Sequence, residues 1–163
     1  MACEIAMIAA VDREMGIGKS NDMLFFISED LKRFKSLTTG YPIVMGRKTF
    51  ESLPKGALPN RRNVVMSSQK NLVLPGAEVV HSMEEAIALL SDETRCFIIG
   101  GGVIYREFMP MATHLFITHI EDSKEADTFF PVIPPKDWNA CSETVVEATE
   151  KHPMFRFVDY QRV

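Results

Sequence analysis

Apolar residues fall along this chain in short unbroken runs, and between the runs the apolar positions recur at helical spacing. Ile5–Val11, closed by Asp12-Arg13, has no polar interruption, which is the pattern of a strand covered on both faces. Pro42–Met45, Asn63–Met66 and Cys96–Ile99 are shorter apolar runs of the same kind, Glu78–Val80 is a short strand, and His114–Ile120 is a further strand. A helix is predicted from Ser28 to the stop at Gly40: Ile27, Leu31, Phe34 and Thr38 share one stripe, with Glu29, Lys32, Arg33, Lys35 and Ser36 opposite. Arg47–Ser52, the segment from the Ser82-x-x-Glu85 capping box to Leu90, and Val103–Met109 ended by Pro110 predict three more helices. Cys141–Glu147 and Phe155–Arg162 predict a terminal antiparallel pair. The expected fold is therefore α/β: a single domain over residues 1–163, with a central, mostly parallel sheet, an antiparallel C-terminal edge and about four flanking helices.

In such sheets ligands bind beyond the carboxyl ends of the strands. Three strand exits here share a grammar. Met45-Gly46-Arg47 and Ile99-Gly100-Gly101-Gly102 turn into helices, and Met66-Ser67-Ser68 is rich in hydroxyls. Glycines admit a phosphate close to the backbone, a helix start offers free N–H groups, and Arg47 with Lys48 adds charge. The set suits an adenine dinucleotide carrying an extra phosphate. The other candidate lies in Gly16–Lys35, where Asp30 sits inside the apolar helical stripe. A carboxylate there is costly to bury unless something polar meets it. Helix-dipole stabilisation does not require it, since Glu29 serves that end from the wet face.

Composition narrows the field without choosing a function. At 46% hydrophobic, 25% charged and a net charge of −4, the chain is not that of a general nucleic-acid or membrane-surface binder. The N-terminal apolar run is too short for a membrane span and lacks the basic start of a signal peptide. Cys3, Cys96 and Cys141 show neither metal spacing nor a disulfide framework, and read as reduced, mostly buried thiols of a cytoplasmic protein. His81, His114, His119 and His152 show no paired spacing and read as surface or strand-edge residues, so no metal is expected. Gly18-Lys19-Ser20 imitates the end of a P-loop, but Arg13 stands where that motif needs glycine. Tyr105 likewise breaks a G-x-G-x-x-G reading of the glycine run, and Ser67 and Ser68 lack the setting of a hydrolytic nucleophile. Glu121–Glu125 reads as a solvated charged loop.

Seven segments together resemble the dihydrofolate reductase family over nearly the whole chain. They are Ala9-Ala10-Val11 leading to Gly16-Ile17-Gly18-Lys19, Ser28-Glu29-Asp30-Leu31-Lys32-Arg33-Phe34-Lys35, and Met45-Gly46-Arg47-Lys48-Thr49-Phe50-Glu51-Ser52-Leu53. Leu58-Pro59-Asn60-Arg61, Ile99-Gly100-Gly101-Gly102-Val103-Ile104-Tyr105, Thr118-His119-Ile120 and Asp127-Thr128-Phe129-Phe130-Pro131 complete the set.

The resemblance implies reduction of 7,8-dihydrofolate to tetrahydrofolate with NADPH as cofactor, in support of one-carbon metabolism and thymidylate synthesis. It implies a catalytic set of Asp30, Thr118 and Phe25: the Asp30 carboxylate pairs with the pterin and promotes N5 protonation through water, and the Thr118 hydroxyl braces it. Ile8 and Ala10 would offer backbone oxygens, and Leu31, Phe34, Lys35, Leu53 and Leu58 would surround the substrate. Arg61 would bind the α-carboxylate of the glutamate tail, a bidentate task suited to guanidinium. The cofactor would lie against Ala10, Ile17, Gly18, Gly46, Arg47, Lys48 and Thr49. Ser67, Ser68, Gln69 and His81 would flank its adenosine phosphate. Ile99, Gly100, Gly101, Gly102, Val103, Ile104, Tyr105 and Thr128 would hold the pyrophosphate side, with a cis bond at Gly100–Gly101. Ile17–Met23 would be a mobile lid latched by Asp127. Dihydrofolate and antifolates are the implied partners, with no nucleic acid or membrane, and a monomer is expected.

Three departures from the family pattern stand out. Leu24-Phe25 occupies the place of its usual Pro-Trp, and Phe25 lacks the indole N–H that orders a water near the substrate. Ala126 stands beside Asp127 at a position that is often glycine, and Ser28 where proline is frequent.

Overall fold

The computed structural model describes residues 3–163. In chain order the strands are β1 (Glu4–Val11), β2 (Gly16–Lys19), β3 (Asp22–Met23), β4 (Ile43–Gly46), β5 (Asn63–Met66), β6 (Ala77–Val80), β7 (Arg95–Gly100), β8 (His114–Ile120), β9 (Thr128–Phe129), β10 (Trp138–Val146) and β11 (Phe155–Arg162). The helices are α1 (Ser28–Thr38), α2 (Arg47–Glu51), α3 (Met83–Leu89) and α4 (Gly102–Phe108), the last followed by a 3-10 turn, Met109–Met111, at Pro110. Eight strands form one sheet in the order β10-β11-β8-β1-β7-β4-β5-β6. The six strands from β8 to β6 in that order run parallel, and β11 and β10 add the antiparallel edge.

The long apolar runs become the middle of the sheet, as continuous hydrophobicity requires. Ala6, Met7, Val44, Val64 and Ile98 are wholly buried, with helices or loops on both faces. β1 loosens toward its carboxyl end, where Ala9 and Ala10 are only partly covered. This is where the sheet opens toward a ligand. Gly40, at φ 90°, ends the chain's exit from α1, because an L side chain rarely adopts that conformation.

Several expectations change. The lid segment, for which the sequence predicts no strand, has strands of its own: β2, β3 and β9 form a separate three-stranded antiparallel sheet. Ser20 and Asn21, at φ 52° and 63°, make the two-residue turn between β2 and β3, a conformation asparagine tolerates. Glu121–Glu125 is not merely solvated, since Glu125 pairs with Lys19 at 2.8 Å and the Arg13 N–H bonds Asp122 O. Of the cysteines only Cys96 is buried, because Cys3 precedes β1 and Cys141 lies on the exposed edge strand. The His152 side chain is buried rather than superficial, packed on Phe155 and bonded to Glu29 at 2.9 Å. The Ser82 cap accepts the Glu85 N–H as predicted, but Glu85 returns its bond to the N–H of His81.

Candidate active site

The carboxyl ends of β1, β7, β4 and β5 border a cleft of about 1350 Å³, closed on its other sides by the lid, α1 and the glycine run. α1 supplies Asp30, Leu31 and Phe34 to it. The apolar stripe of this helix is thus covered in part only: Ile27 and Thr38 are buried, whereas Leu31 is 45% exposed. An apolar half-stripe left open to a cavity is apolar surface reserved for a ligand.

Asp30 is partly buried, and its Oδ1 accepts a 2.5 Å hydrogen bond from the Thr118 hydroxyl. Burial raises its pKa above the ordinary carboxylate value; the Thr118 bond and the neighbouring Arg33 charge oppose that rise. Arg33 itself is tied to Asp159 at 2.6 Å and lies over the Phe157 ring. Asp30 therefore keeps one oxygen toward the cleft, without a cation bonded to it among the described residues. Tyr105 is buried beside it, its hydroxyl donating to Ile8 O at 2.6 Å, and burial pushes its pKa well up. That bond fixes the carbonyl expected to meet the substrate.

The glycine run has the cis bond at Gly100–Gly101. Its protein side is already packed. A Cβ on Gly102 would lie 2.8 Å from Thr128 Cγ2, and one on Gly101 would lie 3.5 Å from Thr49 Oγ1. The three glycines thus present a bare backbone ledge to the cleft, with the Thr49, Ser67 and Ser68 hydroxyls and Arg47, Lys48 and Arg106 around it. Arg47 is held by Glu51 at 2.8 Å. This ledge fits a phosphorylated dinucleotide: no side chain blocks it, and cations and hydroxyls surround it. The lid closes the opposite side. Asp127 N–H donates to Gly18 O at 3.0 Å, and Asp127 Oδ2 accepts from Ser20 N–H at 2.9 Å.

The cleft brings together Ile8, Ala10, Ile17, Gly18, Phe25, Leu53, Leu58, Gly46, Ile99, Val103, Ile104 and Thr128, as well as the residues just described. Thr118 stands behind Asp30 rather than in the lining. Lys35, Arg61, Gln69 and His81 lie outside the lining. Arg61 Nη1 donates to Thr38 Oγ1 at 3.0 Å and Nε to Pro59 O at 2.9 Å, so its fork is preset at the end of α1. His81 Nδ1 meets Ser67 O at 2.8 Å, behind the hydroxyl-rich exit of β5. Sequence reasoning missed Ala9, Phe26, Ser52, Pro54, Arg106 and Phe129 as lining residues. Ala9, near the carboxyl end of β1, was within reach of the strand-exit rule; Phe129 belongs to the lid sheet, which that rule does not cover, and Arg106, exposed on a short helix, carried no signal.

The model of the dihydrofolate reductase family matches residues 4–162. The dihydrofolate reductase of Neisseria meningitidis (serogroup A) is 42% identical over 159 residues, 98% of each chain. That of Bacillus subtilis is 36% identical, covering 97% of this chain and 94% of its own. The solved structure of dihydrofolate reductase from Enterococcus faecalis, complexed with NADP(H) and RAB-propyl, superposes with a TM-score of 0.91 at 32% identity over 99% of each chain. With its sheet, glycine ledge and cleft-facing carboxylate alongside these matches, the chain belongs to the dihydrofolate reductase family.

Proposed function

We propose that the protein reduces 7,8-dihydrofolate to tetrahydrofolate with NADPH, working as a cytoplasmic monomer that supplies one-carbon metabolism and thymidylate synthesis. The observation that carries this reading is Asp30, a carboxylate aimed into an apolar cleft and braced from behind by Thr118. The pterin 2-amino group and N3 hydrogen are the partners such a carboxylate needs, and they offset its burial. Leu31, Phe34, Leu53 and Leu58 supply apolar walls for the remainder of the substrate. Arg61, with two of its donors already committed, offers its remaining N–H groups to the glutamate carboxylate.

NADPH, when bound, supplies the hydride. Gly100–Gly102 and Ile104 would bear its pyrophosphate, Arg47, Lys48, Ser67 and Ser68 its adenosine phosphate, and Ala10 and Ile17 its nicotinamide end. Lid closure would exclude bulk water from the reacting ring. Asp30 at the amine end of the pterin is too far from N5 to donate to it, so the proton reaches N5 through water.

Loss of the near-ultraviolet absorbance of reduced nicotinamide on mixing protein, NADPH and dihydrofolate is the expected result; no loss overturns the proposal. Asp30→Asn should abolish most turnover at neutral pH and regain part of it at low pH, where the substrate is already protonated. A relative on the same fold that reduces a tail-less pterin is the competing reading. It predicts that a dihydropterin without the glutamate tail is reduced as well as dihydrofolate, and that Arg61→Ala changes nothing.

A further inference from the structure

Lys124 holds both ends of the lid. Its backbone N–H donates to Asp12 Oδ2 at 3.1 Å, just before the lid begins. Its ammonium donates to Leu24 O at 2.8 Å, just after the lid ends, and lies 4.3 Å from the centroid of the Phe25 ring. The Asp12 anchor is rigid: the residue is 2% exposed, and Oδ1 accepts the N–H groups of Glu14 at 2.9 Å and Gly16 at 2.8 Å. Glu125 and Asp127, on the same loop, grip the middle of the lid through Lys19 and Ser20. Only Lys124 among these three reaches the segment where the chain leaves the lid and enters the cleft wall.

Phe25 is the ring at that point. It lines the cleft and packs beside Ala10 and Ile27 in a small apolar cluster with Phe155. It is thereby caught between that cluster and a cation. An ammonium over an aromatic face is attracted by the ring quadrupole and fixes the ring's plane as well as its position. The carbonyl bond to Leu24 stops the backbone from turning beneath it.

We propose that Lys124 is a positioning residue that sets the orientation of Phe25 against the substrate and nicotinamide, a reading that rests on the reductase function above. Lys124 touches neither reactant. Its effect runs through one aromatic ring, and so it disappears when that ring is absent.

The test compares Lys124→Met, which keeps an unbranched stem but no cation, with Lys124→Arg, in wild-type and Phe25→Leu backgrounds. Steady-state kinetics with dihydrofolate and NADPH are read alongside thermal melting. Lys124→Met should lower kcat by roughly tenfold, the factor that about 1.4 kcal/mol of lost cation–ring and carbonyl contact represents, with the NADPH KM and melting temperature held. Lys124→Arg should recover most of it. In Phe25→Leu the same Lys124→Met change should cost no more than about twofold, the signature of coupled rather than additive sites. A wild-type kcat in Lys124→Met, an equal loss in Phe25→Leu, or no recovery with arginine each overturns the proposal. Should Lys124→Met fail to fold, Lys124→Gln, which can still bond Leu24 O without charge, takes its place: it should lower kcat by about threefold from the cation–ring contact alone, an effect absent in Phe25→Leu, and a wild-type kcat or an equal loss in Phe25→Leu overturns the proposal. Ring resonances of Phe25 in ligand-free protein separate this idea from the function it rests on. They should move on Lys124→Met whatever substrate the enzyme reduces, and unmoved resonances refute the contact even in an active reductase.

Discussion

The hydroxyl of Thr118, on β8, lies 2.5 Å from Oδ1 of Asp30, on α1, 88 residues earlier in the chain. The strand and the helix meet so that a neutral donor, rather than a cation, backs the carboxylate. A cation would pair with Asp30 internally and leave the ligand nothing to neutralise. A hydroxyl orients the group and leaves its charge available.

Removing that donor isolates its contribution. Thr118→Val is expected to push the Asp30 pKa further up and to weaken a cationic diaminopyrimidine antifolate by about tenfold or more, from the loss of one hydrogen bond to a charged group. Equilibrium titration of the inhibitor at neutral pH measures it. An unchanged affinity would mean that the hydroxyl holds structure only.

Stability should carry the mark of Asp30 in its pH dependence. Burial raises the folded pKa above the unfolded one, so the favourable contribution belongs to the protonated carboxyl. It is complete below the unfolded pKa and is lost as pH climbs through the folded value. Asp30→Asn, which stays neutral, is expected to melt above the parent at neutral pH and level with it in acid. Melting curves across that range decide the matter, and a variant that is less stable at neutral pH contradicts the sign.

The lid latch is the next place to cut. Asp127 is exposed, and its pKa is held down first by the Ser20 N–H and then by the Thr128 hydroxyl. Asp127→Ala is expected to lower kcat by roughly tenfold while the melting temperature stays near the parent's, because lid order serves turnover more than folding. Single-turnover hydride transfer reads it directly. A large drop in melting temperature with normal turnover would reverse the assignment.

Gly102 gives a steric prediction with its own rescue. Its added Cβ would sit 2.8 Å from Thr128 Cγ2, so Gly102→Ala is expected to lose about 1–3 kcal/mol of stability and to bind NADPH less well. Thr128→Ser removes the opposing methyl and should restore part of both in the double variant. Denaturant melts and NADPH titration follow it. If the double variant is no better than Gly102→Ala, the clash lies elsewhere.

Local rules carried far in this chain because its elements obey them. β1, β4, β5 and β7 were legible from their apolar runs, since a strand covered on both faces has no polar side to interrupt it, and β8 as a further, more mixed strand. Asp30 was legible as a misfit in a helical stripe, and the three glycines as more than a turn needs. The resemblance to the family then turned these anomalies into named roles.

Three things waited for the tertiary structure. The lid sheet was invisible because β2 is glycine-bearing and β3 and β9 are two residues each, formed by pairing with one another and not by any periodicity of their own. Leu31 matched the buried stripe yet stands 45% exposed, since what covers a stripe is decided by the neighbours that the fold provides, here a cleft. Lys124 looked like one charge in a solvated loop. Its hold on Asp12, Leu24 and Phe25 joins segments about a hundred residues apart in sequence, and no local pattern encodes such contacts. Local patterning settled the main-sheet strands, the helices and the chemistry available to them; long-range packing made the lid sheet and decided which groups face the same cavity, because only it brings distant segments within the few ångströms at which hydrogen bonds act.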